Sequence, residues 1–380
     1  MSYFQTLDDP TRPVRFALIG AGMMGHQWLT VLHGNPQVEL VGIADLDVDS
    51  AAAARDAVGA PGIALGRSLE DIVSQTSVDA IVNATVPDAH YVVNSDALVR
   101  GVSVLCEKPI VPTVEEATRM AATARLSSRL LMTSQSRRYY RTLRQFRDAV
   151  VTLGNVGVVS CSFHRGPRFG GFRDRMEHPL LLDMSIHAFD CARYLLGKEP
   201  LSVYCQEFNP PWSWYNGAAA AVATFEMEDG VRFVYDGSWC NEGLSTSWNG
   251  HWTVRGEHGS ASWDGGSTPS VELVAAADTR PSADAGDLTG PEEIGGALVE
   301  FVHALRTGDA PSGDVHSNIW SLAMVEAALT SATTGTTVRM DSFLDAALSS
   351  AVANAESATI RATLQSREGF GGIAYYQVTR

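Results

Sequence analysis

The chain has 380 residues, 45% of them hydrophobic and 19% charged, with a formal net charge of −15 at pH 7. That length accommodates two domains with substantial cores, and the acidic balance argues against nucleic acid or an anionic membrane as partner. The five cysteines, Cys106, Cys161, Cys191, Cys205 and Cys240, are scattered and include no C-x-x-C pair, which argues against a disulfide framework or a structural zinc centre.

The first ten residues have no basic start followed by an apolar core, so no signal peptide is expected. No apolar run is long enough to span a bilayer, and the expected compartment is the cytoplasm. The apolar run Val14 to Ile19 reads as a buried strand and feeds into Gly20-Ala21-Gly22-Met23-Met24-Gly25. A helical pattern (Trp28, Leu29, Leu32) and a second strand, Val38 to Ala44, follow, and the strand ends in Asp45. This is one βαβ unit with the layout of a dinucleotide-binding fingerprint. Gly20 allows the tight turn, Gly22 lets backbone approach a pyrophosphate, and Gly25 lets helix pack against strand. Met23 and Met24 open the helix whose free N–H groups face the phosphates. Asp45 suits the two ribose hydroxyls of NAD and would repel the 2′-phosphate of NADP, and Leu46-Asp47-Val48-Asp49 supplies no cation to neutralise that phosphate.

Further along, helices are expected at Ser50 to Val58 and Leu69 to Val73, then a strand at Ala80 to Ala84 and a helix from about His90 to Arg100. The strand Ser103 to Cys106 runs into Glu107-Lys108-Pro109; a helix capped by Thr113 leads to the strand Leu130 to Thr133. Repeated βα units imply a parallel sheet wrapped by helices. From about residue 156 the pattern becomes strand-like alternation at 156–164, 201–208, 218–227 and 231–239, with Glu228-Asp229-Gly230 as a hairpin turn. Strands at 253–263 and 270–274, a mobile loop at 275–292, helices at 296–305 and 318–330 and a helical tail at 342–366 complete the reading. The expected architecture is an α/β Rossmann nucleotide-binding domain, residues 1–135, followed by an α+β domain with a mostly antiparallel open sheet, residues 136–340. Residues 341–380 form a C-terminal extension without an assigned role.

Two motifs carry chemistry. Lys108 stands at the carboxyl end of a strand, the edge where open α/β sheets bind ligands. Its amine can donate to a substrate hydroxyl or to the cofactor; a plain surface lysine fits these three residues equally well. In Asp183-Met184-Ser185-Ile186-His187, positions four apart on a helix share a face, with Leu180, Leu181, Leu182, Ile186 and Phe189 burying the neighbouring surface. Removing hydride from a carbinol needs a base, and histidine titrates near neutrality. The pair also fits a helix-capping acid and a half-buried histidine. The loop from Phe163 to Arg173 carries arginines that suit a carboxylate or several sugar hydroxyls, or that pair with Asp174 and Glu177 in solvent. Trp212, Trp214, Tyr215, Trp239, Trp248 and Trp252 read as core or interface ahead of pocket wall. Asp183, His187 and Asp190 lack a third His or Cys at metal-like spacing, so no metal is expected.

The three motifs in this order, with an α/β half before an antiparallel half, resemble the Gfo/Idh/MocA family of oxidoreductases, to which glucose-fructose oxidoreductase and inositol 2-dehydrogenase belong. The likeness spans roughly Val14 to Met340; E-K-P followed by an Asp-x-x-x-His helix is specific to that family. Ala84-Thr85-Val86-Pro87 with His90 resembles its loop against the nicotinamide side, and Arg137-Arg138 its basic step into the second domain. The resemblance implies that Lys108 is the catalytic lysine, His187 the proton acceptor, and Asp183 its partner or a substrate-hydroxyl ligand. Arg165 joins these three as a substrate contact. NAD would meet Gly20, Gly22, Met23, Met24, Gly25, Asp45, Thr85, Pro87, His90, Glu107 and Lys108. The implied activity is NAD-dependent oxidation of a secondary alcohol on a sugar, sugar derivative or cyclitol by a homodimer or homotetramer. A redox-neutral, NAD-dependent glycoside hydrolase and a non-catalytic NAD-binding regulator are the alternatives.

Overall fold

A computed structural model describes residues 2–274 and 289–366. Most of the loop expected at 275–292 lies outside the described residues. The chain divides into two compact units that are not collinear with the sequence. The first comprises Met1–Ser136, Ile294–Ile319 and Ala346–Arg380; the second comprises Arg137–Glu293 and Trp320–Asp345. The chain therefore leaves the first unit near the expected boundary and re-enters it twice.

In the first unit, strands β1 (Val14–Ile19), β2 (Val38–Ala44), β3 (Ala64–Gly66), β4 (Ala80–Asn83), β5 (Ser103–Cys106) and β6 (Leu131–Thr133) form one sheet in the order β3-β2-β1-β4-β5-β6. Every pairing is parallel. Helices α1 (Met23–His33), α2 (Val48–Ala57), α3 (Leu69–Val73), α4 (Pro87–Val99) and α5 (Val114–Ser127) connect the strands. The three-residue β3 is too short to show as a period-2 pattern. Thr113 and Glu116 close α5 with a reciprocal capping box. Strand order reverses between β1 and β4, so their carboxyl ends flank the switch point where such sheets bind ligands.

In the second unit, α6 (Arg141–Val151) and α7 (Ile186–Leu196) accompany an eight-stranded sheet. Its strands are β7 (Val156–His164), β8 (Pro200–Phe208), β9 (Ala220–Met227), β10 (Arg232–Ser238), β11 (His251–Gly256), β12 (Gly259–Trp263), β13 (Ser270–Leu273) and β14 (Val338–Arg339). The order is β13-β12-β11-β7-β10-β9-β8-β14; only β7–β10 is parallel. Alternation buries one face, and Phe189 of α7 meets Phe225 at 4.8 Å and Tyr235 at 5.2 Å, both edge-on. Trp239, Trp252 and Trp263 are core residues, whereas Trp212 is 62% exposed. A buried polar knot ties α7 down. Arg138 donates to both oxygens of Asp190 at 2.7 Å, Ser321 donates to Asp190, and Arg193 donates to Ser321.

Four later helices are α8 (Glu293–Thr307), α9 (Val315–Thr334), α10 (Met340–Ala353) and α11 (Ala358–Ser366). Within the first unit Phe301 of α8 packs against Phe16 of β1, ring centroids 5.8 Å apart. Between α10 and α11, Glu356 accepts from Tyr91 of α4 and Arg119 of α5. No helix among the described residues is long and apolar enough to cross a membrane.

Candidate active site

The glycine turn joins β1 to α1. Gly20 has φ +98°, and a Cβ there would lie 2.8 Å from the Ala84 carbonyl atoms, so only glycine fits. A Cβ on Gly25 would stand 2.1 Å from the Gly20 carbonyl oxygen. By contrast, a Cβ on Gly22 would meet nothing within 4 Å: that side of the turn faces open space. Gly22 is the N-cap of α1 and supplies no side-chain acceptor, so the first-turn N–H groups stay available to an anion. Met23 is exposed and Met24 half-buried beside them. Asp45 reaches back to this turn: Oδ2 accepts from Ala21 N at 2.7 Å and Oδ1 from Asp47 N at 2.9 Å. Open backbone and an uncapped helix start supply donors, and the acid beside the turn supplies an acceptor, as a dinucleotide requires.

The neighbouring strand ends are tied together. Buried Asn83, to which the sequence lent no role, accepts from Thr85 Oγ1 at 2.7 Å and donates to Asn94. Pro87 occupies the first turn of α4. His90 is buried, with Nδ1 2.6 Å from the Pro109 carbonyl and Nε2 3.1 Å from the Thr85 carbonyl. Burial depresses its pKa, and a neutral imidazole donates to only one of those carbonyls. His90 thus joins the loop after β4 to the turn after β5. In that second turn the Lys108–Pro109 bond is cis and Lys108 is half-buried. Glu107 is turned inward: Oε1 accepts from the Trp28 indole at 2.8 Å and Oε2 from Lys108 N at 3.2 Å. Desolvation raises the Glu107 pKa against the opposing pull of Trp28 and Lys108. Trp28 appeared in the sequence only as a core position of the helix; its N–H role needed the structure.

In the second unit the Asp183–His187 segment departs from expectation. Residues Leu181–Ser185 form a π-helical turn, and α7 begins only at Ile186. Asp183 and His187 therefore belong to turns of different pitch, and the single-face spacing of an α-helix does not apply. The wider turn also leaves Leu182 39% exposed, although it was expected to be buried. Both Asp183 and His187 are half-buried. Asp183 Oδ2 accepts from Arg173 Nε at 2.8 Å.

The loop after β7 forms a layer of arginines and aromatic rings. Arg165 lies 4.5 Å from the Trp248 ring centroid, Arg168 lies 3.9 Å from that of Trp214, and Arg173 lies 4.7 Å from that of Phe172. Phe169 stacks on Trp248. The loop cations do not pair with Asp174 and Glu177 as the solvated reading had it; Arg173 takes Asp183 and Arg168 takes Glu242. His178 bonds Glu207 at 2.6 Å, and burial raises the Glu207 pKa despite that partner.

Comparison with known proteins places this geometry in context. Residues 14–135 match a family model described as oxidoreductase family, NAD-binding Rossmann fold, and residues 140–262 match the GFO/IDH/MocA C-terminal domain. An uncharacterized protein of Sinorhizobium fredii is 28% identical over 343 residues, 86% of this chain and 95% of that protein. Inositol 2-dehydrogenase of Rhizobium meliloti is 32% identical over 201 residues, 50% of this chain and 57% of the enzyme, so the match spans little more than half of that relative. Among solved structures, an oxidoreductase from Agrobacterium radiobacter in complex with NAD+, L-tartaric acid and magnesium superposes with a TM-score of 0.75 at 19% identity. That superposition covers 87% of this chain and 99% of the other.

Proposed function

The chain belongs to the Gfo/Idh/MocA family of NAD-binding oxidoreductases, and from that premise we propose that it is an NAD-dependent dehydrogenase oxidising a secondary alcohol of a sugar, sugar derivative or cyclitol. The reading rests chiefly on Lys108, held at the carboxyl edge of β5 by a turn that His90 and Glu107 secure on either side. Gly20, Gly22, Gly25 and Asp45 hold the dinucleotide, with Asp45 favouring NAD over NADP. Met23, Met24, Thr85 and Pro87 border it. When bound, NAD supplies the hydride acceptor.

The protein handles the proton. His187 accepts the hydroxyl proton of the carbinol, and Lys108 polarises that oxygen and balances its developing negative charge. Asp183, fixed by Arg173, orients a neighbouring hydroxyl or the imidazole. The proposal includes a homo-oligomer acting in the cytoplasm.

The test mixes purified protein with NAD and a panel of inositols, aldoses, uronates and anhydrosugars while reduced nicotinamide is followed by absorbance. Turnover that falls about 10²–10⁴-fold in Lys108→Ala and His187→Ala is expected for lost acid–base groups. NAD binding with no reduction across the panel would reject the dehydrogenase in favour of redox-neutral glycoside cleavage, or of a regulator if no glycoside is cleaved.

A further inference from the structure

In the second unit Arg138 pairs with Asp190, Arg193 with Glu199 and Arg173 with Asp183. Arg137 and Arg165 are different. Among the described residues neither has a carboxylate partner. Arg137 is half-buried and uses Nη1 for two neutral acceptors, the Trp248 carbonyl and Asn249 Oδ1. Its strongest electrostatic neighbours are Cys191, Tyr140, Cys161 and Tyr235. Burial pushes those thiols and phenols upward, so all four are neutral near pH 7. Desolvation accordingly lowers the Arg137 pKa. An uncompensated, desolvated guanidinium is costly unless something anionic meets it.

Arg165 approaches the same residue from its other part. Its guanidinium lies over the Trp248 ring, Nη1 donates to the Thr246 carbonyl at 2.9 Å, and buried Nε has no acceptor. Trp248 therefore carries one cation on its carbonyl and another on its ring. The pair adjoins the catalytic helix, because Cys191, beside Arg137, lies one turn beyond His187 on α7. It is also continuous with Asp183 through Trp248, Phe169 and Arg173.

We propose that Arg137 and Arg165 together bind a carboxylate carried by the polyol substrate, which makes the substrate class a sugar acid (a uronate or aldonate) rather than a neutral cyclitol. This rests on the dehydrogenase reading for the polyol, while the anion site stands on the two arginines alone. Their free N–H edges supply the planar donors a carboxylate accepts, and the Trp248 ring keeps one of them in place.

The experiment compares matched pairs, glucuronate with glucose and galacturonate with galactose, plus glucose 6-phosphate. Binding to the full-length protein with NAD is measured by calorimetry, and reduction by absorbance. The acid should bind at least about tenfold tighter than its neutral partner, and that preference should collapse toward unity in Arg137→Met and Arg165→Met. Arg137→Lys, which keeps the charge, covers the case of a misfolded Met variant and should retain part of the preference. Neutral sugars binding as tightly as their acids, or a preference intact in both Met variants, would overturn the proposal; so would sugar phosphate outcompeting the acids. Acids that bind through Arg137 without reducing NAD would support the anion site and defeat the dehydrogenase reading. Neutral polyols oxidised as well as acids in a Lys108-dependent way would do the reverse.

Discussion

The Trp28 indole donates to Glu107 Oε1 across 2.8 Å, and the other Glu107 oxygen accepts from the Lys108 amide. One buried carboxylate therefore links the helix behind the glycine turn to the turn that aims the candidate catalytic lysine.

Trp28→Phe removes the donor together with part of a fully buried ring. The carboxylate stays buried with one bond fewer, so stability falls by about 1–3 kcal/mol. Urea denaturation measures the loss, and NAD binding should weaken alongside it, since α1 and the Lys108 turn no longer share a tie. A variant with unchanged denaturation midpoint would show that the indole bond contributes nothing net.

Glu107→Gln tests the same site through pH. Burial holds the folded pKa of Glu107 above its unfolded value of about 4.3. Such a group favours the fold most below that unfolded value, and the contribution is lost as pH rises through the folded pKa. The Gln variant lacks that loss. It bears a constant cost, because its amide faces the Lys108 N–H, yet its Tm relative to the parent should climb from pH 4 to pH 8. Parallel Tm curves over that range would contradict a raised Glu107 pKa.

Asp45→Ala removes an acceptor from the Ala21 amide and a carboxylate from the ribose position. NAD affinity should fall about 10–100-fold, the range expected for losing hydrogen bonds to a charged group, with NADP affinity rising or holding. Calorimetry with both dinucleotides decides this. Unchanged NAD affinity would leave Asp45 as a brace for the turn alone.

Arg138→Leu should cost about 3–5 kcal/mol, because it strands Asp190 in the core. The double variant Arg138→Leu/Asp190→Leu should recover much of that loss, because Ser321 keeps its existing bond from Arg193. Chemical denaturation of the cycle supplies the coupling energy, and additive losses would show that the two side chains do not interact.

The sequence made the nucleotide-binding half legible because its signals are local: glycines forced by backbone approach, apolar runs for buried strands, and Thr113 three residues before Glu116 for a cap. The second sheet was legible for a similar reason, since one buried face imposes period-2 alternation. What stayed hidden depended on contacts distant in sequence or on backbone without a residue code. Nothing in Leu181–Ser185 announces a π turn, because the same residues serve an α-helix. Helix α6 went unread although Leu143, Phe146 and Val150 have helical spacing, its apolar stripe being thin among four charged side chains. The loop arginines were visible as a group; only the fold showed which had found acids and which had not.

The threefold visit of the chain to its first unit bears on how the protein is made. On the ribosome, β1 through β6 emerge first, yet the face of β1 that carries Phe16 must wait for Phe301 nearly three hundred residues later. The α4–α5 surface waits longer still, for Glu356. The nucleotide-binding unit is thus finished last although it is begun first. A nascent chain or a fragment ending at Ser136 carries every residue proposed to hold the dinucleotide while exposing the apolar surface those late helices cover, which makes it a client for chaperones and not a minimal binding module.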